Sequence, residues 1–257
     1  MNGTSDGNST HATTDAEPGT VGLENLGNTC YMNSVLQCLA QCHLLTDFFL
    51  KDDGQALRRD LNRVNPIGTK GALAESYADL ITKLWQGGVG FVTPWGFKHT
   101  FGTFAPEFSG YDQQDSHEML ALLLDRLHED VNRVREKQYV EEKDSEGRPD
   151  HEVAEEAWRG YTARNDSIVV DVFHGLIKNR RQCPTCACES VKFDPFMYLA
   201  LPVGKRQTQT TVQIVLARMD GVEPDQMVRY LDVKVRPMND SSRGLELELE
   251  RESWTDR

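Results

Sequence analysis

The sequence predicts an α+β protein in which helices come first and strands follow. Two observations carry this. Between residues 30 and 131 the apolar residues recur at i, i+3, i+4 and i+7, the stripe of amphipathic helices. From about Ser167 onward they alternate, or form short runs broken by Gly, Pro and Cys, as in strands. The chain has 257 residues, 39% of them hydrophobic, enough for one sizeable core or two small ones.

Order is expected to begin near Val21, because residues 1–20 are rich in Ser, Thr, Asn, Asp and Gly and read as a disordered tail. The first helix is marked by Met32, Val35, Leu36 and Leu39, with Asn28 as its expected N-cap and Cys30 in its first turn. Lys51 to Lys70 reads as a polar stretch. A second long helix carries Leu73, Tyr77, Leu80, Ile81 and Leu84 and ends at Gly87-Gly88. Thr93-Pro94 is expected to open a short helix, Thr93 as N-cap, leading into Phe97, Phe101, Phe104 and Phe108. The next helix starts near Tyr111–Glu118, capped by Asp112 with Asp115 or by Asp115 with Glu118. Its core stripe is Met119, Leu120, Leu123, Leu124, Leu127 and Val131. Residues 136–157 are mostly charged and read as a solvated insertion. Strands flank the cysteines at 183–188, and strand periods recur at Leu231-Val233-Val235 and Leu245-Leu247-Leu249.

The formal charge of −12 argues against nucleic acid and anionic membranes and suits a basic partner. No run of about 18 apolar residues is present and the N-terminus lacks the pattern of a signal peptide, so a cytoplasmic or nuclear protein is expected. Its six cysteines are then expected to be reduced thiols.

Three constellations carry chemistry. Cys30 lies where a Gly/Asn-rich turn becomes a helix. The unpaired N–H groups and positive dipole end of a helix favour a thiolate, the nucleophilic form of cysteine. Cys38 and Cys42, further along the same segment, read as small buried hydrophobes. Asp112-Gln113-Gln114-Asp115-Ser116-His117-Glu118 reads either as helix capping with solvated polar groups or as a site element. His117 and His128 read as surface or structural histidines, since neither has an evident carboxylate or amide partner. Cys183-Pro-Thr-Cys186, followed by Cys188, is one C-x-x-C knuckle, half of a tetrahedral zinc site. A redox pair or idle thiols are the alternatives; the redox reading lacks the helix that should follow.

The string Gly22-Leu-Glu-Asn-Leu-Gly-Asn-Thr-Cys-Tyr-Met-Asn-Ser-Val-Leu-Gln37 resembles the cysteine box of the ubiquitin-specific proteases. Gln113-Gln114-Asp115 is similar to a second element of that family. Trp158, Arg164–Gly175, the C-x-x-C knuckle and Val191–Val203 resemble the fingers of its subgroup with a DUSP domain and a catalytic domain split by an insertion. The resemblance covers residues 21–203. It implies a papain-like cysteine protease fold, with a helical thumb and part of a zinc-ribbon finger. Residues 204–257 are then the start of an insertion, ubiquitin-like in the subgroup, with Arg218-Met-Asp220 as the best-matching fragment.

The implied activity is hydrolysis of the isopeptide or peptide bond after the C-terminal glycine of ubiquitin, with ubiquitin and ubiquitinated proteins as partners. Cys30 is then the nucleophile, Asn25 the oxyanion donor, and Gln113, Gln114 and Asp115 the residues that position the substrate tail. Cys183 and Cys186 supply half of a structural zinc site, complete only in a complete domain; catalysis needs no cofactor. The family's histidine box has no match here, nor has the subgroup's N-terminal DUSP domain. The chain is therefore expected to be the front half of the catalytic domain and inactive alone. The alternative is a non-catalytic ubiquitin-binding or regulatory fragment.

Overall fold

The structure is a computed structural model that describes residues 16–141, 143, 145, 147–199, 201, 210–217, 228–237 and 245–249. Most of the expected N-terminal tail and the fragment Arg218-Met-Asp220 lie outside these residues. The chain divides into two compact units: residues 1–135 with 167–172, and residues 136–166 with 173–257.

In the first unit the helical stripes fold as their periodicity dictates. Helix α1 (Cys30–Ala40) buries Met32, Val35, Leu36 and Leu39, and α2 (His43–Leu50) follows directly. After α3 (Gln55–Asp60), helix α4 (Ala72–Gln86) buries all five expected residues from Leu73 to Leu84. It stops at Gly87, whose φ of +70° and close approach to the Ala16 carbonyl leave no room for a side chain. Helix α5 (Trp95–Phe104) begins one residue later than expected, with Pro94 and not Thr93 at the N-cap. Helix α6 (Ser116–Asp130) buries Met119, Leu123, Leu124 and Leu127, and Leu120 is half-buried. Strands β1 (Gly22–Leu23) and β2 (Phe91–Val92) pair in parallel and tie the approach to α1 to the approach to α5.

A chain of aromatic rings runs through this core: Phe49, Tyr77, Phe97, Phe101, Phe108 and Tyr31, with successive centroids 4.9–6.3 Å apart. These edge-on, tilted and stacked contacts add to the burial term. The row ends at Tyr31, beside Cys30. Phe104, grouped with these rings from the sequence, is more than a third exposed.

The segment Lys51–Lys70 is more than a polar loop. Asn62, Asn65 and Thr69 are buried against the end of α6. Asn65 Nδ2 donates to the Glu129 carbonyl at 2.9 Å, and the Asn62 N–H donates to the Asp130 carbonyl at 2.7 Å. The fully buried Asp130 carboxylate accepts from the N–H groups of Thr69, Gly71 and Ala74 and from the Thr69 hydroxyl. These polar groups fold inward because each finds a partner there. His128 is structural: its Nδ1 lies 2.8 Å from the hydroxyl of buried Ser167.

In the second unit, part of the expected solvated insertion is a helix, α7 (Asp150–Thr162). Its charges lie outward, while Val153, Ala154 and Trp158 are buried. Short helix α8 (Ile168–Phe173), which belongs to the first unit as far as residue 172, precedes the antiparallel hairpin of the second unit, β3 (Gly175–Gln182) and β4 (Glu189–Phe196). Strands β5 (Thr210–Ala217), β6 (Val228–Pro237) and β7 (Leu245–Leu249) form an antiparallel sheet in that order. No helix among the described residues is long and apolar enough to cross a membrane.

Candidate active site

The turn before α1 is built from two left-handed residues, Gly27 (φ +104°) and Asn28 (φ +54°). Such a pair reverses the chain abruptly and starts α1 at Cys30, its first residue, with Thr29 and not Asn28 at the N-cap. Thr29 makes no side-chain bond to the helix. Its hydroxyl accepts from the Leu26 N–H at 3.0 Å and donates to Asn25 Oδ1 at 3.1 Å. Asn25 Oδ1 also accepts from the N–H groups of Gly27 and Thr29, both at 3.1 Å. Three donors on one oxygen fix the orientation of the amide, since Nδ2 could accept from none of them. The exposed Asn25 therefore keeps Nδ2 as its remaining donor group at the start of the cysteine helix.

Cys30 is exposed, and no hydrogen bond among the described residues joins it to a histidine. Asn33, one turn further along, ties α1 to the end of β1 by donating to the carbonyls of Leu23 at 3.4 Å and Glu24 at 3.0 Å. Tyr31 packs against Phe108, and burial, followed by the neighbouring Cys30, raises its phenol above the ordinary range. Cys38 is exposed and Cys42 half-buried, contrary to the expectation of two buried hydrophobes. Cys38 lies outside the α1 stripe, so the core has no place for it.

The second constellation is brought to the cysteine turn by Asn28, whose Nδ2 donates to the Tyr111 carbonyl at 2.9 Å. Asp115 caps α6, accepting from the His117 N–H at 2.7 Å. Gln114 donates to the Glu107 carbonyl at 3.0 Å, so its side chain braces its own loop, and Gln113 is exposed. Sequence reasoning missed Thr29, Tyr111 and Lys98. Lys98 is buried and donates to the carbonyls of Phe108 and Gly110 at 2.9 and 2.7 Å. Only its place three residues before Phe101, on the core face of α5, marked it out.

The third constellation is the turn between β3 and β4. The Cys183 N–H donates to the Cys188 carbonyl and the Ala187 N–H to the Cys183 carbonyl, each at 2.9 Å; Ala187 is left-handed, φ +55°. Backbone N–H groups of Cys186 and then Thr185 point at the Cys183 sulfur and lower its thiol to about 7. A stabilised thiolate with a second cysteine on the same turn fits half of a tetrahedral zinc shell. Among the described residues no group of three or more His, Cys, Asp or Glu side chains is arranged to hold a metal.

The sequence profile of the family described as "Ubiquitin carboxyl-terminal hydrolase" matches residues 21–235. Human ubiquitin carboxyl-terminal hydrolase 15 is 54% identical over 204 residues, covering 79% of this chain and 20% of that protein. Ubiquitin carboxyl-terminal hydrolase 4 of Bos taurus is 57% identical over 207 residues, covering 80% and 21%. Among solved structures, a chain of the SAGA Ubp8/Sgf11/Sus1/Sgf73 DUB module bound to monoubiquitin superposes with a TM-score of 0.52 at 17% identity. It covers 92% of this chain and 47% of its own. That likeness is one of fold, and it agrees with the α+β, papain-like class. The chain belongs to the ubiquitin carboxyl-terminal hydrolase family, and it spans about a quarter or less of the length of the curated relatives it matches.

Proposed function

We propose that this chain carries the nucleophile half of a thiol hydrolase that cuts the bond after the C-terminal glycine of ubiquitin. The observation that supports this best is the saturated Oδ1 of Asn25, which leaves an oriented amide donor beside the first turn of the Cys30 helix. Cys30 Sγ attacks the glycine carbonyl, and Asn25 Nδ2 donates to the oxyanion that forms. Preorganised donors of this kind contribute about 10² to 10³ in rate. Gln113 and Asp115, beside Tyr111, are suited to position the ubiquitin tail. Cys183 and Cys186 would supply two thiolate ligands of a structural zinc site, and a zinc held there with further ligands would fix the turn between β3 and β4.

The absence of a histidine bonded to Cys30 among the described residues supports a second statement: the chain alone does not turn over. A lysine amine is a poor leaving group unless protonated, and loss of general acid–base help costs about 10² to 10⁴ in rate. A ubiquitin-binding module is the second reading, supported by the same missing contact.

The test is turnover of a fluorogenic ubiquitin C-terminal amide. The purified chain should match its Cys30→Ala blank. Supplied with the C-terminal half of a relative's catalytic domain, it should turn over, and the Cys30→Ala form should not. No turnover in either arm favours the binding module. Robust turnover by the chain alone would assign the base to one of His99, His117, His128, His151 or His174.

A further inference from the structure

We infer that Lys98 is a positioning residue for the nucleophile, holding the left-handed turn before Cys30 through the segment Phe108–Tyr111. The inference takes Cys30 as the nucleophile of the proposed hydrolase. It concerns the geometry of the turn, which is measurable without turnover.

Lys98 is 4% exposed, yet among the described residues no carboxylate pairs with it. Its ammonium gathers the carbonyls of Phe108, Ser109 and Gly110 at 2.9, 3.5 and 2.7 Å, and sits 5.3 Å from the centroid of the Tyr111 ring. A buried ammonium is costly, and its charged form is disfavoured by the burial. A staple for one turn could be made by a neutral donor. The arrangement of Tyr111 gives the charge a further consequence.

The Tyr111 ring is held by the cation, and its carbonyl accepts from Asn28 Nδ2, 83 residues earlier in the chain. The edge of the same ring comes within 3.6 Å of where a side chain on Gly27 would begin. Both left-handed residues of the cysteine turn thus rest on Tyr111, and Tyr111 rests on Lys98. The approach of α5 to this segment is tight. One helical turn beyond Lys98, a side chain on Gly102 would begin 3.0 Å from Ser109 Cα. The ammonium therefore reaches three successive carbonyls from one fixed origin, which sets where residue 111 begins. A non-glycine residue with φ of +54° stays there when its surroundings hold it. The Asn28 amide is the contact by which they do.

The experiment uses the full 257-residue chain and three readings: the NMR signals of the Asn28 side-chain amide, the ¹⁵N signal of the Lys98 ammonium, and the alkylation rate of Cys30 relative to Cys38. Cys38 is an exposed cysteine on the same helix and serves as the internal standard. In Lys98→Met the Asn28 signals should move. The Cys30/Cys38 ratio should change about threefold or more, the scale of coupling within one hydrogen-bond network. Lys98→Arg should recover part of that change. Asn28→Gly, which keeps the left-handed turn but removes the amide, should shift the ratio by itself and blunt the added effect of Lys98→Met.

Asn28→Gly removes the donor from the Tyr111 carbonyl, so Tyr111 should relax and the ¹⁵N signal of the Lys98 ammonium over its ring should shift. This reading decides the matter even if Lys98→Met does not fold. An unchanged ammonium signal in Asn28→Gly overturns the inference. So does a folded Lys98→Met with unaltered Asn28 signals and ratio, or one whose effect is equal with and without the Asn28 amide.

Discussion

Asn25 is the residue at which structure and proposed chemistry separate most cleanly. Its Oδ1 accepts from the Gly27 N–H, the Thr29 N–H and the Thr29 hydroxyl, each at 3.1 Å. Gly27 is exposed, so water replaces that bond when the acceptor is lost. Thr29 is 1% exposed, so its two donors lose theirs with little compensation. At about 0.5–1.5 kcal/mol for each bond lost, Asn25→Ala should cost about 2 kcal/mol of local stability. Asn25→Asp keeps every acceptor bond, now charge-assisted, and places an anion before the N-terminus of α1, worth about 0.3–1 kcal/mol. The adjacent Glu24 and the net charge of −12 offset that gain, so Asn25→Asp should match the parent to within about 0.5 kcal/mol. The assay is native-state hydrogen exchange of the Asn33 and Val35 amides, which reports the opening of α1 without averaging over both units. In the assembled hydrolase both variants should lose about 10² to 10³ or more in turnover, since both lack Nδ2, and the carboxylate of Asn25→Asp further opposes the oxyanion. If Asn25→Asp opens α1 as readily as Asn25→Ala, Oδ1 is not the acceptor in the turn, and the outward-facing Nδ2 assigned to the oxyanion falls with it.

Asp130→Ala strands four donors on Thr69, Gly71 and Ala74 and should cost about 4 kcal/mol or more, measured by urea unfolding of the first unit; a loss under about 1 kcal/mol would contradict the clamp. Burial pushes the Asp60 carboxyl up, but hydrogen bonds from Arg59 and Arg133 outweigh it and hold the group below the ordinary carboxylate range. A depressed folded value means this contribution is complete above the unfolded pKa, roughly pH 4, and fades as pH falls toward the folded one. Asp60→Asn should therefore lower stability at neutral pH and flatten the acid limb of a stability–pH curve; an unchanged acid limb counts against it. Zinc should bind the purified chain weakly and be lost to a mild chelator, because affinity of structural sites needs all four ligands together. Stoichiometric, chelator-resistant zinc by elemental analysis would show that Cys183 and Cys186 are joined by further ligands of this chain.

What the sequence made legible was what is local. The stripes of α1, α4 and α6 repeat within one helix, and five residues from Asn25 to Thr29 contain the whole turn that presents Cys30. For Cys38 residue type points inward and position points outward, and position decides: it lies off the stripe of Met32, Val35, Leu36 and Leu39 and is exposed. Helix α7 was hidden by its charges, which outnumber the three buried residues that define its inner face. The segment Lys51–Lys70 was hidden for a deeper reason. Its asparagines and Thr69 meet partners about 60 to 70 positions away, and polarity alone does not distinguish a solvated group from one satisfied at long range. The site shows the same division. The contacts that join the cysteine turn to α5 end on main-chain carbonyls of residues 108–111, and every residue type has a carbonyl. No side-chain pattern encodes such an acceptor. Only the donors, Asn28 and Lys98, are written in the sequence, and nothing local says that they reach toward the same segment.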